Sequence, residues 1–468
     1  MTDLTDPDIR AGVTARLGEL WAGRPVIIGP MILAAASPWV AWFRDLGCPV
    51  LVVSTGRGAG PVPGDDECVV VEVAPPRTSM ITEELRTHDR LARNLPGDAR
   101  AIIDAFDPHR RGVWFATPFV TNDLPIDGRA VTSGRPAAFL ALEDKMLADG
   151  IWDACDVARA PYRLVPVEDE ALARATDELG NELGTVWVGD ARDGYNGLGD
   201  YVRWVRDEDD RARAAAFFKP RCDRVRVTPF LDGVPCSIHG FVLPDGTAAL
   251  RPVEIVVLRR AEDRTFVYAG LGTTWDPPPA DREEMRTVVR RVGRYLQRTH
   301  GYRGAFGIDG VLTADGFRPT ELNSRMSAGA TAVAEVDRRF FTLLQAALLA
   351  EAEVGVTAPE LESLVDLMDD RRVGKVVAVA RGHSVPHEES FPVTWDGGRL
   401  ERAESDTGDL FSVGNTPSGI FARVEPCTTL VPGTRLATVN AALLSFVDRD
   451  YGTDFGAVEP APDVRLTS

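Results

Sequence analysis

The sequence predicts a multidomain protein of mixed α/β and α+β class, and three observations carry that expectation. Its 468 residues are too many for one compact core and imply two to four domains. Residues 24–135 alternate short β-rich runs with helical stretches, the pattern of a small parallel α/β domain. From about 136 onward come a glycine-rich loop, longer strands and hairpins, the pattern of α+β units with a β-rich C-terminal part. Hydrophobic residues at 44% and charged residues at 26% fit a globular chain, so core material is sufficient.

In the first region PVIIG at 25, PVLVVS at 49, CVVVEV at 68 and GVWFATPFV at 112 are expected as strands, with helices over 36–46 and 80–106. The first strand ends in Gly29-Pro30 without GxGxxG, which removes support for a dinucleotide site. DLPIDGR (123–129) leads out of the domain. A helix is expected over about 136–150 (PAAFLALEDKMLADG). It is followed by the strand TVWV (185–188), the loop GDARDGYNGLGD, and a meander through VRVTPFLDGVPCSIHGFVL and ALRPVEIVVLRR. An amphipathic helix over 281–300, a hairpin over 304–323 and a helix at about 331–352 complete the middle region. VGKVVAVARG and IFARVEP make the last region β-rich before a helix near 437–449. Domains are expected at 1–135, 136–355 and 356–468, with a mobile lid at about 161–250.

Charge and composition narrow the partners. A net charge of −18 repels nucleic acid and anionic membrane, so small molecules are expected instead. No run of 18 apolar residues exists and the N-terminus MTDLTDPDIR is acidic, so a cytoplasmic protein is expected. Cys48, Cys68, Cys155, Cys222, Cys236 and Cys427 lie far apart without a CxxC pair, which fits reduced thiols better than a disulfide framework or a zinc site. Only Lys145, Lys219 and Lys375 among 52 basic residues are lysine.

The stretch GAFGIDGVLTADGFRPTELNSRMSAGAT (304–331) places acid groups inside apolar strands. With 304–312 and 317–323 as antiparallel strands joined by the three-residue loop Ala314-Asp315-Gly316, position 309 pairs with 321. Phe306, Ile308 and Leu312 then face one way, and Asp309, Glu321 and Asn323 converge on the other. A two-residue turn at Asp315-Gly316 slips the register and turns Asp309 toward the apolar side, at high cost. Two carboxylates and an amide oxygen repel one another without a cation between them, and an all-oxygen set suits Mg²⁺ shared with phosphates. A solvated charged face is the commoner fate of such a spacing. Arg325 and the small residues of SRMSAGA, which allow close backbone approach, favour the site.

GxDGVL…ELNSRMSAGA resembles the closing motif of the ATP-grasp superfamily, an Asp on one strand and Glu-x-Asn on the next. The resemblance implies an N-terminal pre-ATP-grasp α/β domain, an ATP-grasp core with a lid, and ATP with Mg²⁺ as cofactors. It implies that Asp309, Glu321 and Asn323 hold the metal, Glu321 also contributing to nucleotide binding. Glu143-Asp144-Lys145-Met146 is similar to the family's first lysine helix, with Lys145 on phosphate. GYNGLG (194–199) is similar to the phosphate-covering loop, with Gly194, Asn196, Gly197 and Gly199 at the nucleotide. Where relatives carry a second lysine this sequence has Val188-Gly189, and Arg192 or Lys219 are the replacements considered. The usual acidic residue of the adenine hinge is absent from VRVTPF.

The activity implied is transfer of the γ-phosphate to a carboxylate, giving an acyl-phosphate that an amine attacks, with Arg325 holding the carboxylate or the phosphoryl group. The order GVWFATPFV, LEDKMLADGIWD, metal hairpin and β-rich end is similar to the peptide ligases of pheganomycin-type biosynthesis. That implies carboxylate and amine or peptide substrates in specialised peptide metabolism; homodimers are common in the superfamily. An ATP-dependent carboxylase and a non-catalytic nucleotide-binding protein are the alternatives. Glu254 is expected either near the site or at an exposed edge, Arg259 and Arg260 at a substrate carboxylate or a solvated strand end, and His383 and His387 in a surface loop.

Overall fold

The computed structural model describes residues 2–465 except 193, 198, 261, 397, 406 and 426–431. Leu198 of the glycine-rich loop, Pro426 and Cys427 therefore lie outside the described residues. The N-terminal sheet is built from β1 (Val26–Met31), β2 (Val50–Ser54), β3 (Val69–Glu72), β4 (Val113–Thr121) and β5 (Ala130–Arg135). Its order is β3-β2-β1-β4-β5, and every neighbouring pair is parallel. The segment 123–129 does not leave the domain but leads into β5, whose half-exposed AVTSGR lacks the apolar run that marks the other strands. The helical stretch 80–106 is two helices, Ile81–Arg93 and Gly97–Phe106, because Pro96 interrupts the chain between them.

The helix expected over 136–150 is also interrupted. Ala137–Leu140 and a 3₁₀ turn at Ala141–Glu143 are separated from the helix Ala148–Ala154 by a turn that carries Lys145. Asp144 accepts a hydrogen bond from Met146 N at 3.0 Å, a local bond that competes with helical pairing.

A small antiparallel sheet follows, β6 (Arg163–Pro166), β7 (Thr185–Gly189), β8 (Val202–Val205) and β9 (Arg224–Pro229), in the order β6-β9-β7-β8. The expected meander divides here. β9 closes the small sheet and β10 (Val234–Leu243) opens a larger one, so residues 234–250 lie outside the small sheet rather than in a lid reaching 250. Gly233 makes the crossing at φ +142°, with Leu312 O only 2.1 Å from where a Cβ would stand.

The large sheet continues with β11 (Gly246–Arg260), β12 (Thr265–Gly272), β13 (Gly304–Thr313), β14 (Gly316–Asn323), β15 (Gly374–Arg381), β16 (Glu389–Trp395), β17 (Leu400–Arg402), β18 (Asp409–Thr416) and β19 (Gly419–Glu425). Its order is β14-β13-β10-β11-β12-β15-β19-β18-β16-β17, with β20 (Val458–Pro460) beside β11. The C-terminal strands thus extend the central sheet, joined where Gly270 pairs with Val376. The helix Pro279–His300 packs its buried Met285, Val289, Val292 and Leu296 against β10 and β11. The helix expected at 331–352 is split at Asp337, which caps Arg338–Leu349 by accepting from Phe340 N at 3.0 Å. No helix among the described residues is long and apolar enough to cross a membrane.

Candidate active site

The hairpin brings the three predicted oxygen donors together, by a route the sequence reading did not foresee. Thr313 pairs with Gly316, so the loop is Ala314-Asp315 and not three residues. The register shifts after Gly310↔Pro319, leaving Thr320 as an extra residue, and Asp309 meets Glu321 as expected. The bulge has a packing cause. Phe317, 1% exposed, belongs to the core but shares strand parity with Glu321, and only an inserted residue lets one point inward and the other into the site. That discord between Phe317 and Glu321 was the available signal. Asn323 Nδ2 donates to Asp309 Oδ2 at 2.9 Å, and Lys145 Nζ stands 2.8 Å from Glu321 Oε2.

Burial, with the neighbouring Glu321 charge second, raises the Asp309 carboxyl to about 6, against hydrogen bonds from Ser237 and Asn323 that lower it. Burial and a like charge thus act on Asp309 in the same direction. Behind them, His239 Nε2 lies 3.1 Å from Ser237 Oγ and 3.0 Å from Ser327 Oγ. Burial lowers its pKa to about 3, so the ring is neutral. Gly329 and Gly307 press on this imidazole: a Cβ at either would fall 2.3 and 2.7 Å from the ring. The glycine after Arg325 at 329 is thus required by a histidine.

Arg325 is held by the buried Glu143, which also pairs with Arg135. Burial pushes Glu143 up, but the two arginines outweigh it and keep the carboxylate below its usual range. The Arg325 guanidinium lies 5.5 Å over the Phe119 ring, and Phe119 stacks on Tyr195 at 5.7 Å. Arg135 and Glu143 were not identified from sequence as an anchor for Arg325, since the pairing depends on three separate segments.

These groups line one end of a cavity of about 610 Å³ between the small sheet and the large one. Asp309, Glu321, Asn323, Arg325 and Lys145 converge there, while Val186, Val188, Phe230 and Tyr268 add apolar surface. Gly197 and Gly199 also line it; Gly194 lines an adjoining cavity instead. Asn196 is not free for a ligand. Its amide donates to Gly189 O at 3.2 Å and Asp190 O at 2.7 Å, and its Oδ1 accepts from Arg86 at 2.6 Å. The N–H groups of Gly194 and Gly197 are likewise bound, to Ala191 O at 2.9 Å and Thr82 Oγ1 at 3.0 Å. The loop in this conformation is therefore tied to the N-terminal domain and does not offer those donors to phosphate.

Lys219 does not reach the site: it is half exposed, pairs with Asp169 at 2.8 Å, and lies outside the cavity lining. Arg192 donates to Pro220 O at 3.0 Å. The cation near the Val188-Gly189 position is Arg226, paired across the ladder with Val188, 3% exposed and lining the cavity. Asp149 holds it through two bonds of 2.5 and 2.7 Å. A lone arginine alternating with valines in VRVTPF was its sequence signal. Arg259 lines the cavity and pairs with Asp232 at 2.7 Å. Arg260 pairs with Asp263, and the fully buried Glu254 accepts from Arg435 Nε at 2.6 Å and Leu436 N at 2.8 Å, a structural tie. His387 is exposed, and His383 is half-buried with its Nδ1 2.9 Å from Arg381 O.

Among the described residues no group of three His, Cys, Asp or Glu could hold a metal alone. Two carboxylates and Asn323 fit an ion such as Mg²⁺ that takes its other ligands from water and phosphate.

No protein-family model matches the chain, and no curated protein matches it in sequence. Solved structures do share its fold. Carboxyaminoimidazole ribonucleotide synthase from Aspergillus clavatus, complexed with ATP, is 12% identical with a TM-score of 0.51, over 91% of this chain and 99% of that one. N5-carboxyaminoimidazole synthase from Aspergillus clavatus, in complex with ADP and 5-aminoimidazole ribonucleotide, is 13% identical with a TM-score of 0.50, over 92% and 100%. Rhizobium etli pyruvate carboxylase is 13% identical with a TM-score of 0.51, over 93% of this chain and 40% of that one. The N-terminal parallel domain and the large antiparallel sheet give the multidomain layout that the hairpin motif implied.

Proposed function

We propose that this chain, which has the ATP-grasp fold, is an ADP-forming carboxylate–amine ligase that uses Mg²⁺ and ATP. The observation that carries the reading is the convergence of Asp309, Glu321 and Asn323, with Lys145 and Arg325 beside them, at one end of a cavity between two sheets. The ADP and ATP complexes of the neighbouring folds support the nucleotide.

When bound, magnesium neutralises charge on the phosphates. Asp309, Glu321 and Asn323 would hold it, and Lys145, which pairs with Glu321, would meet phosphate. The substrate carboxylate oxygen attacks the γ-phosphorus, the bond to ADP breaks, and an acyl-phosphate forms. The amine nitrogen then bonds to the acyl carbon as phosphate leaves with the C–O electron pair and the amine sheds a proton. Arg325, kept charged and fixed by Glu143, holds the carboxylate or the transferring phosphoryl group with its planar fork. The small sheet over the cavity excludes water that would hydrolyse the acyl-phosphate.

The finer reading is ligation of amino acids or peptides in specialised metabolism, as in pheganomycin-type peptide ligases. The order of GVWFATPFV, LEDKMLADGIWD and the metal hairpin supports it. Activation of bicarbonate is the second reading, favoured by the carboxyaminoimidazole synthases and pyruvate carboxylase that share the fold. ADP release and product mass with a panel of carboxylates, amino acids and short peptides, against bicarbonate, decide between them. ADP release that needs an amine and an organic acid supports the ligase. Release driven by bicarbonate supports the carboxylase, and no release under any condition supports a non-catalytic binder. Glu321→Ala is expected to abolish turnover while leaving the chain folded.

A further inference from the structure

A second cavity, about 500 Å³ in volume, adjoins the first where the N-terminal domain meets the glycine-rich loop. Its walls are the helix Ile81–Arg93 on one side and Phe119 with Tyr195 on the other. Phe119 belongs to both cavities, and Arg325 lies over its ring. The second cavity therefore begins beside the residue assigned to the reacting end of the first.

Its chemistry is specific. The helix supplies Glu83, Arg86, Asp89 and Arg90, charges of both signs on one wall. Three of them are engaged: Glu83 accepts from Ser79 N at 3.3 Å, Arg86 donates to Tyr195 O at 2.9 Å, and Asp89 accepts from Thr121 N at 2.9 Å. Arg90, exposed at the rim, has no hydrogen-bond or ion-pair partner for its guanidinium among the described residues. The opposite wall is aromatic, with Phe119 and Tyr195 stacked at 18° between their planes. The Tyr195 hydroxyl is buried away from this wall, so its ring and not its oxygen meets the cavity.

We propose that this cavity receives the amine substrate and that this substrate is zwitterionic, an amino acid or short peptide with a free carboxylate held by Arg90. The assignment rests on the ligase reading. The apolar or aromatic body of the substrate packs against Phe119, edge contacts being favourable between aromatic rings, and its amine, neutral when it attacks, points toward Arg325. A phosphate tail also satisfies an arginine. Glu83 and Asp89 on the same wall repel a dianion more than a carboxylate, so the carboxylate is favoured.

The test is ¹⁹F NMR titration of 4-fluoro-L-phenylalanine into the full chain, with magnesium ADP titrated separately. The acid is expected to bind. Its amide, and the acid with Arg90→Glu, are expected to bind at least tenfold more weakly, with Arg90→Ala between. A melting temperature equal to that of the unaltered chain shows that each variant is folded. Equal binding of acid and amide, no effect of Arg90→Glu, no binding of the acid, or tighter binding of O-phosphoethanolamine would each overturn the assignment. Failure of magnesium ADP to bind counts instead against the nucleotide reading, so the two failures are distinguishable.

Discussion

Glu143 is the residue on which the geometry of the site depends most, because one buried carboxylate neutralises both Arg135 and Arg325. Glu143→Gln leaves the buried Arg135 and the half-buried Arg325 without their counter-charge. It is expected to lower stability by about 3 kcal/mol, the scale for breaking a buried pair, measured as a shift in urea midpoint. His88 makes a pH prediction. Burial lowers its pKa from 6.5 to about 4. The folded chain stays neutral there while the unfolded chain takes a proton below 6.5, so its contribution is complete above 6.5 and is lost as pH falls toward 4. The loss is about 3 kcal/mol at 1.36 kcal/mol per pH unit. Equilibrium unfolding of the unaltered chain and of His88→Gln across pH 4–7 should show a shallower acid slope in the variant. The convergence of Asp309, Glu321 and Asn323 was legible because a polar or charged group within an apolar strand is costly and demands a reason. The role of Arg226 was not, because it comes from Asp149, 77 residues away, and that of Arg135 was not, because the turns between it and Glu143 that bring the two together carry no pattern of their own.

Elements were legible where one periodicity ran unbroken, as in β1, β2 and the helix Pro279–His300. Short polar bonds defeated the reading elsewhere: Asp144 and Asp337 each spend a carboxylate on a nearby N–H and end what the pattern alone would continue. The hairpin register came out correctly for 309 and 321 although the loop length did not, since the Thr320 bulge restores the residue that the shorter loop removes. The glycine-rich loop is tied to the helix Ile81–Arg93 by Thr82, which donates to Gly197 O at 3.1 Å, accepts from Gly197 N, and whose own N–H reaches Asp200 at 2.9 Å. Thr82→Val removes the hydroxyl and strands buried backbone groups, at about 1–3 kcal/mol. Faster amide hydrogen exchange at 194–200, with the rest of the chain unchanged, is the expected outcome; unaltered exchange there would show that the tie does not hold the loop.

At the scale of the whole molecule, the alternation of strands and helices announced the N-terminal domain, whereas continuity of the central sheet into the C-terminal strands could not be read from local pattern. Pairing of β12 with β15 joins segments about 100 residues apart, and nothing in either run names its partner. The cavity is formed only when the small sheet and the large sheet face one another, so a ligand that binds there stabilises the folded chain as a unit. Magnesium ADP at about 100 times its dissociation constant is expected to add about 2.7 kcal/mol of stability, read as a rise in melting temperature that requires both ion and nucleotide. The most direct test is calorimetric titration of ADP with and without magnesium, into the unaltered chain and into Glu321→Ala. The account predicts binding that depends on magnesium in the former and falls at least tenfold in the latter. Nucleotide binding indifferent to magnesium, or equal in the two proteins, would contradict it.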